Sequence, residues 1–217
     1  MRDTSDEQWC YLFQSKEYKV NTTIFNTPFV SSFFHYLTKL LLRAFGWRVE
    51  GKLPDIPKFV VIGAPHTSNW DFVLFLALAF SLKANPRYLG KAELFRSPLG
   101  FFFKWCGGIP VDRSKSTGLV EQTVQAIEES REFILVITPE GTRGQVRAWK
   151  SGFYHIAKKA GIPIALGFID HPRKTIGIGP TFMPTDNMDA DMKAIQSYYA
   201  GMVGINPRLT SELSKTG

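Results

Sequence analysis

The sequence predicts an α/β fold: a mostly parallel central sheet flanked by helices, with an amphipathic helical segment at the N-terminal end. Three observations carry this prediction. Short runs rich in β-branched residues alternate with helical patterns across residues 58–168. A length of 217 residues with 44% apolar content supports one sizeable core. Polar clusters recur directly after the strand-like runs, where the loops of parallel sheets bind ligands.

A polar leader precedes "FVSSFFHYLTKLLLRAFGW" at residues 29–47. Phe33, Leu37, Leu40, Leu41 and Ala44 recur there at helical spacing, and His35, Lys39 and Arg43 follow at i, i+4, i+8. The pattern fits a helix lying in a membrane interface. It fits equally a helix packed on the domain with its basic side in water. "KFVVIG" (58–63), "RYLG" (87–90), "IPVDR" (109–113), "FILVIT" (133–138) and "IPIALGF" (162–168) read as strands. Among the helical patterns, "STGLVEQTVQAIEESRE" places Val120, Val124 and Ile127 on one face, with Ser116 or Thr117 as cap. "AWKSGFYHIAKKAG" places Trp149, Phe153, Ile156 and Ala160 together and stops at Gly161. The stretch from "TDNMDADMKAIQSYYAGM" onward reads as a helix followed by a frayed polar tail. The longest apolar run, "FVLFLALAFSL" (72–82), is about half of what a membrane span needs.

The formal charge of +7 and a pI near 9.4 imply an anionic partner: nucleic acid, a phospholipid surface or a phosphorylated small molecule. Cys10 and Cys106 are too few for a disulfide framework, and the N-terminal residues lack the basic and apolar regions of a secretory signal. A reducing cytosolic setting follows as the expectation.

The polar clusters are "PHTSNWD" after the first strand, "VDRS" at the end of the third and "TPEGTR" after the fourth. His66 and Asp71 lie five positions apart. On a continuous helix such residues point about 140° away from each other. Their spacing makes sense if a strand ends at Gly63, His66 lies in the loop, and Ser68 or Asn69 caps a helix whose first turn holds Asp71. Taken locally, that pair is most simply a structural hydrogen bond, and Glu140 and Arg143 a helix cap and a surface ion pair. Neither G-x-S-x-G nor a cysteine beside the histidine is present. "GWRVEGKL" nearly matches a phosphate-binding loop, but Leu53 replaces the required Ser or Thr and Pro54 follows it. His35, His155 and His171 show no zinc-like spacing with His66, so no metal is expected.

The order H-x-x-x-x-D, then "GGIPVDR", then P-E-G-T-R, then "GIPIALGF", resembles the glycerolipid acyltransferases related to bacterial lysophosphatidic acid acyltransferase. The resemblance runs from Val60 to Phe168 and implies transfer of a fatty acyl group from acyl-CoA or acyl carrier protein to a hydroxyl. The acceptor it implies is a lysophospholipid or related phosphorylated molecule, as for a 1-acylglycerol-3-phosphate O-acyltransferase. By position, His66 is the implied base and Asp71 its partner. Lys91, Arg113, Glu140, Gly141, Thr142 and Arg143 are the implied acceptor-binding residues. No cofactor is implied beyond the thioester co-substrate. The last motif departs from the family pattern, having Pro163 without a second proline shortly after.

The resulting organisation is a leader and membrane-interface helix over residues 1–50 and an acyltransferase domain over 51–217, peripheral to the cytoplasmic face of the inner or plasma membrane. An anionic membrane surface is the expected partner. Nucleic acid is not, because the arginines sit in strand-end loops rather than along one helix. Two rivals remain on the sequence alone: transfer to a different acceptor, such as an ornithine-lipid or other lyso-lipid, and a lipid-binding protein without turnover.

Overall fold

A computed structural model describes residues 22–111 and 118–210. Its sheet has seven strands: β1 (Arg48–Glu50), β2 (Lys58–Ala64), β3 (Pro86–Lys91), β4 (Gly108–Val111), β5 (Phe133–Ile137), β6 (Ile164–Asp170) and β7 (Thr175–Phe182), in the order β1-β7-β6-β2-β5-β3-β4. Every neighbouring pair is parallel except β6 and β7. The helices are α1 (Val30–Ala44), α2 (Trp70–Ser81), α3 (Ala92–Arg96), α4 (Gly100–Trp105), α5 (Leu119–Glu129), α6 (Gly152–Ala160) and α7 (Met188–Tyr198).

Strand β2 shows why the sheet is covered on both sides. Alternate residues of a strand face opposite ways. Val60, Ile62 and Ala64 pack with Val124 and Ile127 of α5, Phe153 and Ile156 of α6 and Ile195 of α7. Phe59 and Val61 face the other way, toward Leu78 of α2. Such a strand reads as a continuous apolar run, which is how "KFVVIG" is recognisable in the sequence.

All five expected strands are present within two residues at each end, apart from the stretch 112–117, which lies outside the described residues. Helix α6 stops at Gly161 as expected, with that glycine left-handed at φ 64°. Ser116 and Thr117, the expected caps of α5, lie outside the described residues, and Gly118 precedes the helix. Strands β1 and β7 are additions to the sequence reading. Residues 48–50, grouped there with the leader, pair in register with β7. Gly51, the last-but-one residue before Leu53 in the apparent phosphate-binding loop, has φ 75° and lies so close to β7 that an added Cβ would fall 1.8 Å from the Ile178 carbonyl. No helix follows it, so that motif is a strand edge and a turn.

Helix α1 packs against α2, and its buried side differs from the sequence expectation. His35, grouped in the sequence with the basic stripe, is buried, its Nδ1 2.8 Å from the Phe80 carbonyl. Leu42 is buried one helical repeat on. The side left in solvent mixes large apolar and basic residues: Phe29, Phe33, Tyr36 and Leu40 are 89%, 62%, 71% and 65% exposed, beside the exposed Lys39 and Arg43. Among the described residues, no helix is long and apolar enough to cross a membrane.

Candidate active site

Because β2, β5, β3 and β4 are mutually parallel and adjacent in that order, their carboxyl ends reach one edge of the sheet. The loop after β2 holds His66, the loop after β5 holds Glu140, Gly141, Thr142 and Arg143, and Lys91 closes β3. The chain leaving β4 leads toward Arg113, which lies outside the described residues. Separate stretches of sequence thus converge on one edge without any being close in the chain.

His66 and Asp71 meet. Nδ1 of His66 is 3.0 Å from Oδ2 of Asp71, with the imidazole partly open to solvent and the carboxylate buried. The same Oδ2 accepts the backbone N–H groups of Thr67 at 2.7 Å and Ser68 at 2.8 Å. Asp71 sits in the first turn of α2, where the positive end of the helix dipole favours an anion. Asn69 does not cap the helix with its side chain; Ser68 Oγ accepts the Trp70 N–H at 3.2 Å instead. A carboxylate can only accept, so Nδ1 is the donor of the pair and Nε2 is the nitrogen left with a lone pair. Oδ1 of Asp71 is buried with no hydrogen-bond partner among the described residues.

Glu140, grouped by sequence with the acceptor-binding residues, is buried and turned inward. Both carboxylate oxygens face the His66 backbone N–H, at 3.1 and 3.2 Å. Burial pushes its carboxyl up to about 8; the His66 N–H offsets this in part, and the nearby Asp71 charge adds to it. Glu140 therefore holds the backbone of His66, while the residues after it reach solvent. Thr142 and Arg143 are exposed, and Gly141 turns the loop at φ 66°. Lys91 is exposed at its strand end. One cation was not singled out from the sequence: the Lys150 side chain lies across Gly141, so that an added Cβ would meet its Cδ at 2.9 Å. The Lys150 N–H is bonded to the Pro139 carbonyl at 2.8 Å. Its pairing with Pro139 spans a loop, and no local pattern announces it.

The arrangement is an imidazole paired with a buried carboxylate, with exposed cations in the neighbouring strand-end loops, and on α2 aromatic rings pack with those of β3 and α4. Phe72 lies 5.5 Å from Tyr88 and 6.2 Å from Phe103 between ring centroids, and Phe75 lies 6.0 Å from Tyr88. Cys106 is buried and burial pushes its thiol up to about 11, which leaves it inert as a nucleophile. Among the described residues, no group of three His, Cys, Asp or Glu side chains is placed to hold a metal ion.

The sequence profile of the Acyltransferase family matches residues 47–165, more than half of the chain, and spans β1 to the start of β6 with both site loops. The chain belongs to the Acyltransferase family. No curated protein sequence matches it. The fold is similar to the crystal structure of the 1-acyl-sn-glycerophosphate (LPA) acyltransferase, PlsC, from Thermotoga maritima. That likeness has a TM-score of 0.58 and 19% sequence identity, over 78% of this chain and 76% of that one. As an acyltransferase, the chain acts on an acyl donor and an acceptor.

Proposed function

We propose that this acyltransferase moves a fatty acyl group from acyl-CoA or acyl carrier protein to a hydroxyl of a lysophospholipid, 1-acylglycerol 3-phosphate being the type acceptor. The contact between His66 Nδ1 and Asp71 Oδ2 carries the reading. In this mechanism Nε2 of His66 takes the acceptor's hydroxyl proton as the oxygen attacks the thioester carbonyl. The new C–O ester bond forms, the C–S bond breaks, and the departing thiolate takes the proton from the imidazolium. Asp71 stabilises that imidazolium and fixes the ring. No acyl-enzyme, cofactor or metal takes part; the thioester supplies the activated acyl group. The decisive experiment incubates the purified protein with palmitoyl-CoA and 1-oleoyl-glycerol 3-phosphate and follows free thiol together with the lipid product. Thiol release without a diacylated product would overturn the acceptor assignment.

The cationic edge supports the phosphate half of the reading. A phosphate needs forked or point cations, and Arg143 and Lys150 are exposed in the loop after β5 and Lys91 at the end of β3, while Arg113 follows β4 in the sequence. Arg143→Ala and Arg113→Ala are each expected to raise KM for the phosphorylated acceptor about tenfold, the lower part of the range for a charge-assisted bond, because Arg143 stands in solvent. KM for the acyl donor should change far less. Unchanged acceptor kinetics in both variants would remove the phosphate site from this edge.

The acceptor is collected from an anionic membrane surface, at the cytoplasmic face of the inner or plasma membrane. The support is α1, whose solvent side places Phe29, Phe33, Tyr36 and Leu40 at i, i+4, i+7, i+11 beside the exposed Lys39 and Arg43. Basic residues near an anionic leaflet contribute about 1 kcal/mol each, a part that fades with salt, whereas the apolar part persists. Phe33 and Leu40 are the residues to test, because Leu37 is half-buried. Their joint replacement by Ser is expected to lower co-sedimentation with phosphatidylglycerol vesicles at both low and high salt. It should also slow turnover of a long-chain acceptor while sparing a short, water-soluble one. Equal loss on both acceptors would make α1 a purely structural helix.

A further inference from the structure

The loop that carries His66 is held from behind by a stretch of chain that the family profile does not reach. After α7 the chain returns toward the sheet, and Tyr199 places its hydroxyl within hydrogen-bond distance of the carbonyls of Ile62 and Gly167, on β2 and β6. Residue 203 accepts the His171 N–H through its carbonyl at 2.9 Å. The Asn206 N–H then donates to Oγ1 of Thr67 at 3.0 Å. Gly204 lies flat against the same side chain: an added Cβ would fall 2.5 Å from Thr67 Oγ1 and 2.7 Å from its Cγ2. The Gly204 N–H is taken by Oγ1 of the fully buried Thr210 at 3.2 Å, and a 3-10 turn over Pro207–Leu209 closes the segment. The sequence reading expects a frayed tail here; as far as residue 210 the chain is instead tied down.

We propose that residues 203–210 are a strap that positions the catalytic loop, acting through Thr67. This rests on the acyl-transfer reading, in which His66 and Asp71 are the dyad. Thr67 follows His66 directly, and its N–H is one of the donors that fix Asp71 Oδ2. Oδ1 has no partner among the described residues, so the carboxylate is oriented through one oxygen alone. A shift of Thr67 therefore moves the imidazole's neighbour and loosens the carboxylate together. Glu140 holds the other side, at the His66 N–H. The dyad is clamped between the loop after β5 and the strap. Gly204 is a glycine because no side chain fits between strap and loop, and its backbone needs no positive φ. Thr67 is thus a positioning residue: its side chain is buried against the strap and acts through its neighbours His66 and Asp71.

The test compares Thr67→Val, which keeps the shape and removes the acceptor for the Asn206 N–H, with Thr67→Ser, which keeps the hydroxyl. Misplacement of a catalytic group on the scale of an ångström can cost up to about 10²-fold in rate. Thr67→Val is expected to lower kcat by about tenfold or more, with KM for palmitoyl-CoA and for 1-oleoyl-glycerol 3-phosphate within about threefold, and Thr67→Ser to restore most of it. A second readout is independent of turnover: the downfield proton resonance of His66 Nδ1–H should be present in the parent and in Thr67→Ser, and lost or broadened in Thr67→Val. If Thr67→Val does not fold, Thr210→Val, which loosens the strap without touching the loop, must lower kcat and broaden the same resonance. Full kcat with an intact resonance in a folded strap or Thr67→Val variant overturns the proposal. A resonance that responds as expected in a protein that turns over no thioester leaves the strap standing and overturns the acyl-transfer reading.

Discussion

His66→Ala is expected to lower acyl transfer by about 10² to 10⁴-fold, the usual contribution of a general base, while leaving the fold intact. The two halves of this expectation come from different features. The kinetic half follows from the free Nε2 of a ring whose Nδ1 is committed to Asp71. The stability half follows from the ring's position: it is partly open to solvent, so its removal leaves no core cavity, and the contact from Glu140 is to the His66 backbone, which alanine retains. Asp71→Ala should behave otherwise. That change leaves the buried N–H of Thr67 and its neighbour Ser68 N–H without their shared acceptor, at a cost of about 1 to 3 kcal/mol for each donor left unsatisfied. It should therefore lose both turnover and thermal stability. Thioester consumption and thermal unfolding, measured on both variants, separate the outcomes. His66→Ala within a few-fold of the parent would remove the base, and an unfolded His66→Ala would make the ring a structural group.

Much of this was legible in the sequence because the residues concerned obey local rules. The buried strands β2, β5 and β6 are short apolar runs, and parallel strands send their carboxyl ends to a single edge, so the convergence of "PHTSNWD" and "TPEGTR" follows from strand order once the fold class is right. The geometry of residues 66–71 is equally local, since a continuous helix would point the two side chains apart and a loop entering a helix brings the carboxylate back to the imidazole. Strand β7 escaped because "TIGIGPTF" interrupts its β-branched residues with two glycines and a proline, and β1 because three residues make no pattern. The solvent side of α1 escaped for a different reason. Its apolar residues form one broad arc, yet the buried residues are His35 and Leu42 on the polar arc, and His35 meets the Phe80 carbonyl 45 positions away, a contact that periodicity does not announce. Glu140 with His66 and Thr67 with Asn206 are likewise pairs separated by 74 and 139 positions, and periodicity carries no information about them.

Glu140 gives the site a pH-dependent stability whose sign can be worked out. Its carboxyl moves from an ordinary value of 4.5 to about 8 on folding, chiefly because it is buried. Between those values the folded protein keeps a proton that the unfolded chain has released, so the unfolded state gains relative stability as pH rises through that interval. Below the unfolded value both states are protonated and the penalty is absent; above about 8 it is complete. At about 1.4 kcal/mol per pH unit the full penalty is of the order of 5 kcal/mol. Glu140→Gln keeps the shape and a carbonyl oxygen for the His66 N–H but cannot ionise. The difference in unfolding free energy between Glu140→Gln and the parent should therefore shift in favour of the variant by a few kcal/mol from pH 5 to pH 8, read from urea unfolding at the two values. The same variant should keep most of its turnover at neutral pH, because the backbone of His66 remains held, whereas Glu140→Ala, which offers that N–H nothing, should lose about 1 to 3 kcal/mol of stability at pH 5 and turnover with it. A stability difference between Glu140→Gln and the parent that does not change with pH would mean that Glu140 is ionised throughout this range. The His66 backbone would then be held by a buried charge, a stronger contact than a neutral carboxyl makes.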